Sequence, residues 1–193
     1  MHDIEPFFKW REKYISSEDS KSPYYGRVYD EFTFSKKIYN YFIHPQWDEF
    51  GSATLYLKVL FADYAEGFAV IELIGEWNDC IGNDIRFLKR DLVDQLVEEG
   101  IYKFIFIAEN VLNFHGSDDC YYEEWFHDII EEDGWIAIIN TEKHVKEEMY
   151  ETRLNHFIHF GEHLNGLNWR KMTPKSLLLW VDQKRSLQIK ALG

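Results

Sequence analysis

The feature that most constrains this fold is a run of alternating periodicities between Phe68 and Asn140. FAVIELIG, from Phe68 to Gly75, is an apolar stretch of strand length. Ile81, Ile85, Leu88, Leu92 and Leu96 then recur at three- and four-residue spacing, the stripe of an amphipathic helix, and Gly100 ends it where a left-handed residue is needed. KFIFIA (Lys103 to Ala108) is a second apolar run. Tyr122, Trp125, Phe126, Ile129 and Ile130 form a second stripe, closed by Gly134, and WIAIIN is a third run. Continuous rather than alternating apolar strands are expected where a sheet is covered on both faces. Strands joined through helices imply parallel crossovers, so the class is α/β, a mixed β-sheet with helices packed on it.

The flanks complete the order. Ile4, Phe7, Phe8, Trp10 and Tyr14 read as a short amphipathic helix, followed by a polar linker from Ser16 to Pro23. Period-two apolar residues over Arg27 to Phe34 predict a strand, and KIYNYFIH (Lys37 to His44) predicts another. TLYLKVLFADY and FAVIELIG are joined by Ala65–Gly67 as an antiparallel hairpin. Lys143 to Asn165 reads as one long helix, LNWRKM as a short last strand, and Thr173–Pro174 as the N-cap and first residue of a terminal helix. The division expected is an N-terminal extension, residues 1–53, packed on a main domain, residues 54–193.

The main domain resembles the STAS domain, the fold of anti-sigma-factor antagonists, over about half the chain. Phe68 to Gly75 followed by Glu76-Trp77-Asn78-Asp79 resembles that family's second strand and its L-x-G-x-L-D approach to the first helix. Lys103 to Phe114 resembles the strand leading to the phosphorylatable D-S-S-G-L turn, here His115-Gly116-Ser117-Asp118. His115 replaces an acid of that motif and Asp118 replaces its Gly. The resemblance implies a non-enzymatic, regulatory protein-interaction module with Ser117 as the phosphoacceptor. Its partner would be a regulator protein or a second copy in a homodimer. Ser117 also reads as an ordinary helix N-cap, with Asp118 and Asp119 complementing the helix dipole.

Charge and cysteine usage narrow the partners. The formal net charge is −13, from 34 acidic and 21 basic side chains, and no basic patch interrupts it. Such a surface repels phosphate backbones and anionic headgroups, so neither nucleic acid nor membrane is an expected partner. Cys80 and Cys120 have no zinc-like or CxxC spacing, and with no apolar leader at residues 1–13 the chain reads as cytoplasmic. His156, His159 and His163, at i, i+3 and i+7 of the expected long helix, are weak metal candidates; no cofactor is implied. Asn78, Asp79, His115, Ser117 and Asp118 collect at strand ends, where open α/β sheets place ligands. They form the edge for a partner or, alternatively, a small ligand. Ser117 or Cys120 beside His115 is the set a hydrolase would use, but no GxSxG elbow, phosphate loop or HExxH accompanies it. Trp47, Phe50, Tyr56, Tyr64, Trp77, Tyr121 and Tyr122 are either interface aromatics or a second core beneath the extension.

Overall fold

The computed structural model describes residues 4–192; residues 1–3 and 193 lie outside it. β3 (Leu55–Asp63) and β4 (Phe68–Asn78) form the expected hairpin, and β4 is followed in the sheet by β5 (Lys103–His115) and β6 (Trp135–Ile139). The order β3-β4-β5-β6 is antiparallel across the first pair and parallel across the other two. The α/β class and the expected hairpin–crossover–crossover order are therefore present.

Two apolar layers sandwich the sheet. On one face, α1 (Asp84–Leu88) continues through a π-helical turn (Lys89–Val93) into α2 (Asp94–Glu98). With α3 (Cys120–Ile130) and α4 (Lys143–Glu151) it buries Leu88, Leu92, Trp125 and Met149 against Ile71, Phe104 and Ile138. On the other face, α5 (Pro174–Leu192), the N-terminal segment and the turn before α5 bury Leu177, Val181, Trp10 and Trp169 against Val70, Ile105 and Ile139. The small hairpin of β1 (Lys36–Ile38) and β2 (Tyr41–Ile43) packs Ile38 and Ile43 on Trp47, Tyr56 and Ile74. Gly75 lets the chain pass Thr54: its φ is +119°, and a Cβ there would lie 2.1 Å from the Thr54 carbonyl oxygen.

Thr173 caps α5 as expected, accepting from Ser176 N–H at 3.2 Å. Thr173→Ala is expected to lower stability by about 1 kcal/mol, the usual worth of such a cap, read as a fall in the denaturation midpoint with an unchanged slope.

Several local expectations are corrected. Arg27–Phe34 is not a strand, because Asp30 Oδ1 accepts from both Phe32 N–H (2.7 Å) and Thr33 N–H (2.9 Å), bending the chain. Val28 and Phe32 are left 92% and 88% exposed. Lys37–His44 is two strands, because Tyr39 turns at φ +52°. The N-terminal piece is a series of turns rather than a helix, although Trp10 is buried as the pattern implied. Ile81 and Ile130 drop out of the helix stripes and are exposed. The apolar run from Lys103 does not end at Ala108 but continues as β5 to His115, past its last β6 partner, Ile107.

The expected helix over Lys143–Asn165 ends at Glu151, where Thr152 bonds back to the Glu148 carbonyl and Arg153 turns at φ +61°. Beyond it, buried Ile158 and Phe160 flank His159 with strand periodicity. The His159 backbone pairs with β6, donating to Ile136 O and accepting from Ile138 N–H, both at 2.8 Å. LNWRKM is a helical turn around buried Trp169, not a strand. Of the seven aromatics weighed as interface residues, Trp47, Phe50, Tyr56, Trp77 and Tyr122 are buried and Tyr64 and Tyr121 pack against the core, so they belong to the interior.

Candidate strand-end site

The parallel strands β4 and β5 end side by side, with Asn78 in register with His115. Beyond them the chain turns so that Asp79 N–H and Cys80 N–H both donate to the His115 carbonyl, at 2.9 and 3.2 Å. Asn78 Oδ1 accepts from Ile81 N–H at 2.9 Å, and Asn83 turns at φ +54° into α1. Cys80 Sγ donates to the Gly116 carbonyl at 2.5 Å. Thus Asn78, Asp79, Cys80, His115, Gly116 and Ser117 share one end of the sheet.

Their chemistry differs from what proximity alone suggests. Asp79 is only 3% exposed. Its Oδ1 accepts from Trp77 Nε1–H (3.0 Å) and Ile85 N–H (2.8 Å), and its Oδ2 accepts from the Tyr122 hydroxyl (2.6 Å). Burial nevertheless pushes the carboxyl up to about 6. Asp84 is buried too, accepting from Asn78 N–H at 2.7 Å, and its carboxyl is likewise raised by burial. These carboxylates tie β4, α1 and α3 together and do not face solvent as ligands.

What remains exposed is different. Ser117 is exposed and makes no hydrogen bond among the described residues, so it is not the N-cap. Asp119 holds the N-cap position, and Asp118 Oδ1 accepts from Cys120 N–H at 3.3 Å. His115 Nε2 pairs with Asn113 Nδ2 at 3.0 Å and with neither Ser117 nor Cys120. The hydrogen bond and charge of Asp118 raise the Cys120 thiol, the reverse of what a thiolate nucleophile needs. Beside this turn Ile81 is 90% exposed.

The three histidines do not share a helix face. His156 is exposed, His159 is half-buried with its imidazole pushed by burial down to about 4, and His163 is half-buried. Among the described residues no group of three or more His, Cys, Asp or Glu side chains is placed to hold a metal ion, and no helix is long and apolar enough to cross a membrane.

The sequence reading missed the polar belt on the opposite face of the sheet. Lys58 and Glu72 stand opposite one another in β3 and β4. The Lys58 ammonium meets Asp48 Oδ2 at 3.1 Å, and Asp48 Oδ1 also accepts from the Tyr29 hydroxyl (2.5 Å) and Arg27 (3.2 Å). Glu72, 0% exposed, accepts from Phe7 N–H at 2.9 Å and lies 3.4 Å from Arg170, which also pairs with Glu109. A charged residue inside an otherwise apolar strand was the available signal, since such groups require buried partners.

No protein-family model and no curated protein matches the chain. Among solved structures it is similar to one titled "Structure of the Anti-Sigma Factor Antagonist SpoIIAA in its Unphosphorylated Form", with a TM-score of 0.47 and 11% identity, over 66% of this chain and 96% of that one. The α/β class follows from the chain's own strand order and connections.

Proposed function

We propose that the chain is a non-catalytic regulatory module that binds a protein partner through the end of the sheet carrying Ile81 and Ser117. One observation supports this above the others. Asn78, Asp79 and Cys80 are engaged in holding the turn, whereas Ile81 is 90% exposed one residue from the Cys80–Gly116 contact. An exposed branched aliphatic at a rigid turn is suited to filling a partner's pocket. Asp118, Asp119 and Glu123 follow Ser117 in the chain, so the complementary surface would be an apolar pocket with a basic rim. An isologous dimer would set these acids against their own copies, which favours a different chain as partner. A small ligand held by Asn78 and Asp79 is less favoured, because both side chains already have partners.

Ser117 falls inside this footprint, and its free hydroxyl is the proposed point of regulation. A phosphate there would add charge next to Asp118 and Asp119. Desolvating it on docking would cost more than a basic rim returns, so modification would weaken binding. The test is quantitative co-purification from the native cells. Recovery of the partner should fall at least about tenfold, or 1.4 kcal/mol, with Ile81→Asp and with Ser117→Asp. It should be unchanged with Leu179→Asp, a control at a 63% exposed apolar position on α5. Undiminished recovery with Ile81→Asp would sink the reading; undiminished recovery with Ser117→Asp alone would remove only the regulatory part.

A further inference from the structure

The belt on the other sheet face borders a cavity unrelated to the strand-end site. Its volume is about 180 Å³, and Arg11, Lys58, Tyr29, Ser16, Phe7 and Leu60 are among its walls. The N-terminal segment covers it, so the cavity exists only because residues 6–17 lie across the edge strand β3.

Charge and shape there run against the rest of the molecule. In a chain of formal charge −13, Lys58 and Arg27 both pair with the buried carboxylate Asp48, and Arg11 lies near enough to press on the Lys58 ammonium. Burial, with further pressure from Arg11 and Arg27, lowers the Lys58 ammonium to about 8. Arg11 itself is weakly held, 3.5 Å from Gln46 Oε1 and 3.5 Å from a half-exposed Glu5. The hydroxyl of Ser16, a residue 1% exposed, is buried near Tyr29 without a well-formed hydrogen bond. A buried hydroxyl left unsatisfied is costly unless something completes it. Phe7, Ile15, Val59 and Leu60 supply an apolar part of the wall. By volume alone a benzene ring fits, since a wholly apolar cavity of roughly 150 Å³ accommodates one.

We propose that this cavity binds a small organic carboxylate with a compact apolar body. The carboxylate would lie between the Arg11 guanidinium and the Lys58 ammonium, with Ser16 and Tyr29 hydroxyls within the same wall, and the apolar body against Phe7 and Leu60. Binding would favour protonated Lys58, so affinity should fall as pH rises above about 8, where the free cavity releases that proton.

Benzoate is the probe, with benzamide as its neutral isostere and inorganic phosphate as an anion lacking the apolar body. Titration calorimetry on the full chain at pH 7 should show benzoate binding, with benzamide and phosphate each at least tenfold weaker. Arg11→Gln, at a half-exposed position that leaves the Asp48–Lys58 pair intact, should weaken benzoate at least tenfold while leaving the melting temperature of the free protein unchanged. Lack of benzoate binding, equal binding of benzamide or phosphate, or an unaltered affinity in Arg11→Gln would each overturn the assignment.

Discussion

Asp79→Ala is expected to destabilise the protein by about 3–5 kcal/mol, because three buried donors lose their acceptor at roughly 1–3 kcal/mol each. Those donors are Trp77 Nε1–H, Ile85 N–H and the Tyr122 hydroxyl, which come from β4, α1 and α3. For a chain of this size the melting temperature should fall by about 10 °C. Asp79→Asn keeps an acceptor for Trp77 and Ile85 and can donate to the Tyr122 oxygen, so its cost should stay within about 2 kcal/mol at pH 7. Thermal melts of the two variants against wild type decide this. Equal, small losses in both would mean that Asp79 does not hold these elements together.

Glu72→Ala should be the second largest effect, about 2–4 kcal/mol, and should act on the N-terminal segment. It leaves Phe7 N–H without its acceptor and removes one of the two carboxylates at Arg170. The segment should therefore loosen before the sheet does. Trypsin cleavage at Lys9, Arg11 and Lys13 should accelerate in native buffer, with the far-ultraviolet circular dichroism little changed. Burial, reinforced by Glu109, pushes Glu72 up to about 7. A carboxyl whose folded value lies above its usual one binds its proton more tightly in the folded state. The stability tied to Glu72 is thus present below about pH 4.5 and lost as pH rises to about 7. Glu72→Gln should remove that slope while retaining an acceptor for Phe7 N–H. Cleavage in Glu72→Ala no faster than in wild type would show that Glu72 does not pin the segment.

Much of the fold was legible because its periodicities are strong and local. From Phe68 to Ile139 the apolar runs and stripes admit one order of strands and helices, and the chain adopts it. The failures lie where two readings share the same residues. Ile158 satisfies a helix stripe with Leu154 and also a strand alternation with Phe160, and pairing of His159 with β6 settles the choice. Val28, Phe32 and Phe34 alternate correctly for a strand, but the Asp30 side chain competes for the backbone donors that a strand would need. The candidate site was legible as a place and misread as chemistry. Asn78, Asp79 and His115 do meet, yet the environment of Asp79 depends on Tyr122, 43 residues away. The cavity beside Lys58 was not legible at all, since the same Lys could serve an exposed strand face until the N-terminal segment covers it.

If the strand-end carboxylates belong to the fold, Ile81 and Ser117 are what that end offers a partner, as proposed. The most direct measurement is the titration of the Asp79 carboxyl carbon by NMR, assigned by comparison with Asp79→Asn. A carboxyl held in the fold should show a midpoint raised to about 6, with the Ile85 amide proton shifting in step as its acceptor is protonated. Asp79 titrating near the unperturbed value of about 3.9, with the Ile85 amide indifferent, would place a free carboxylate at the strand ends and contradict it.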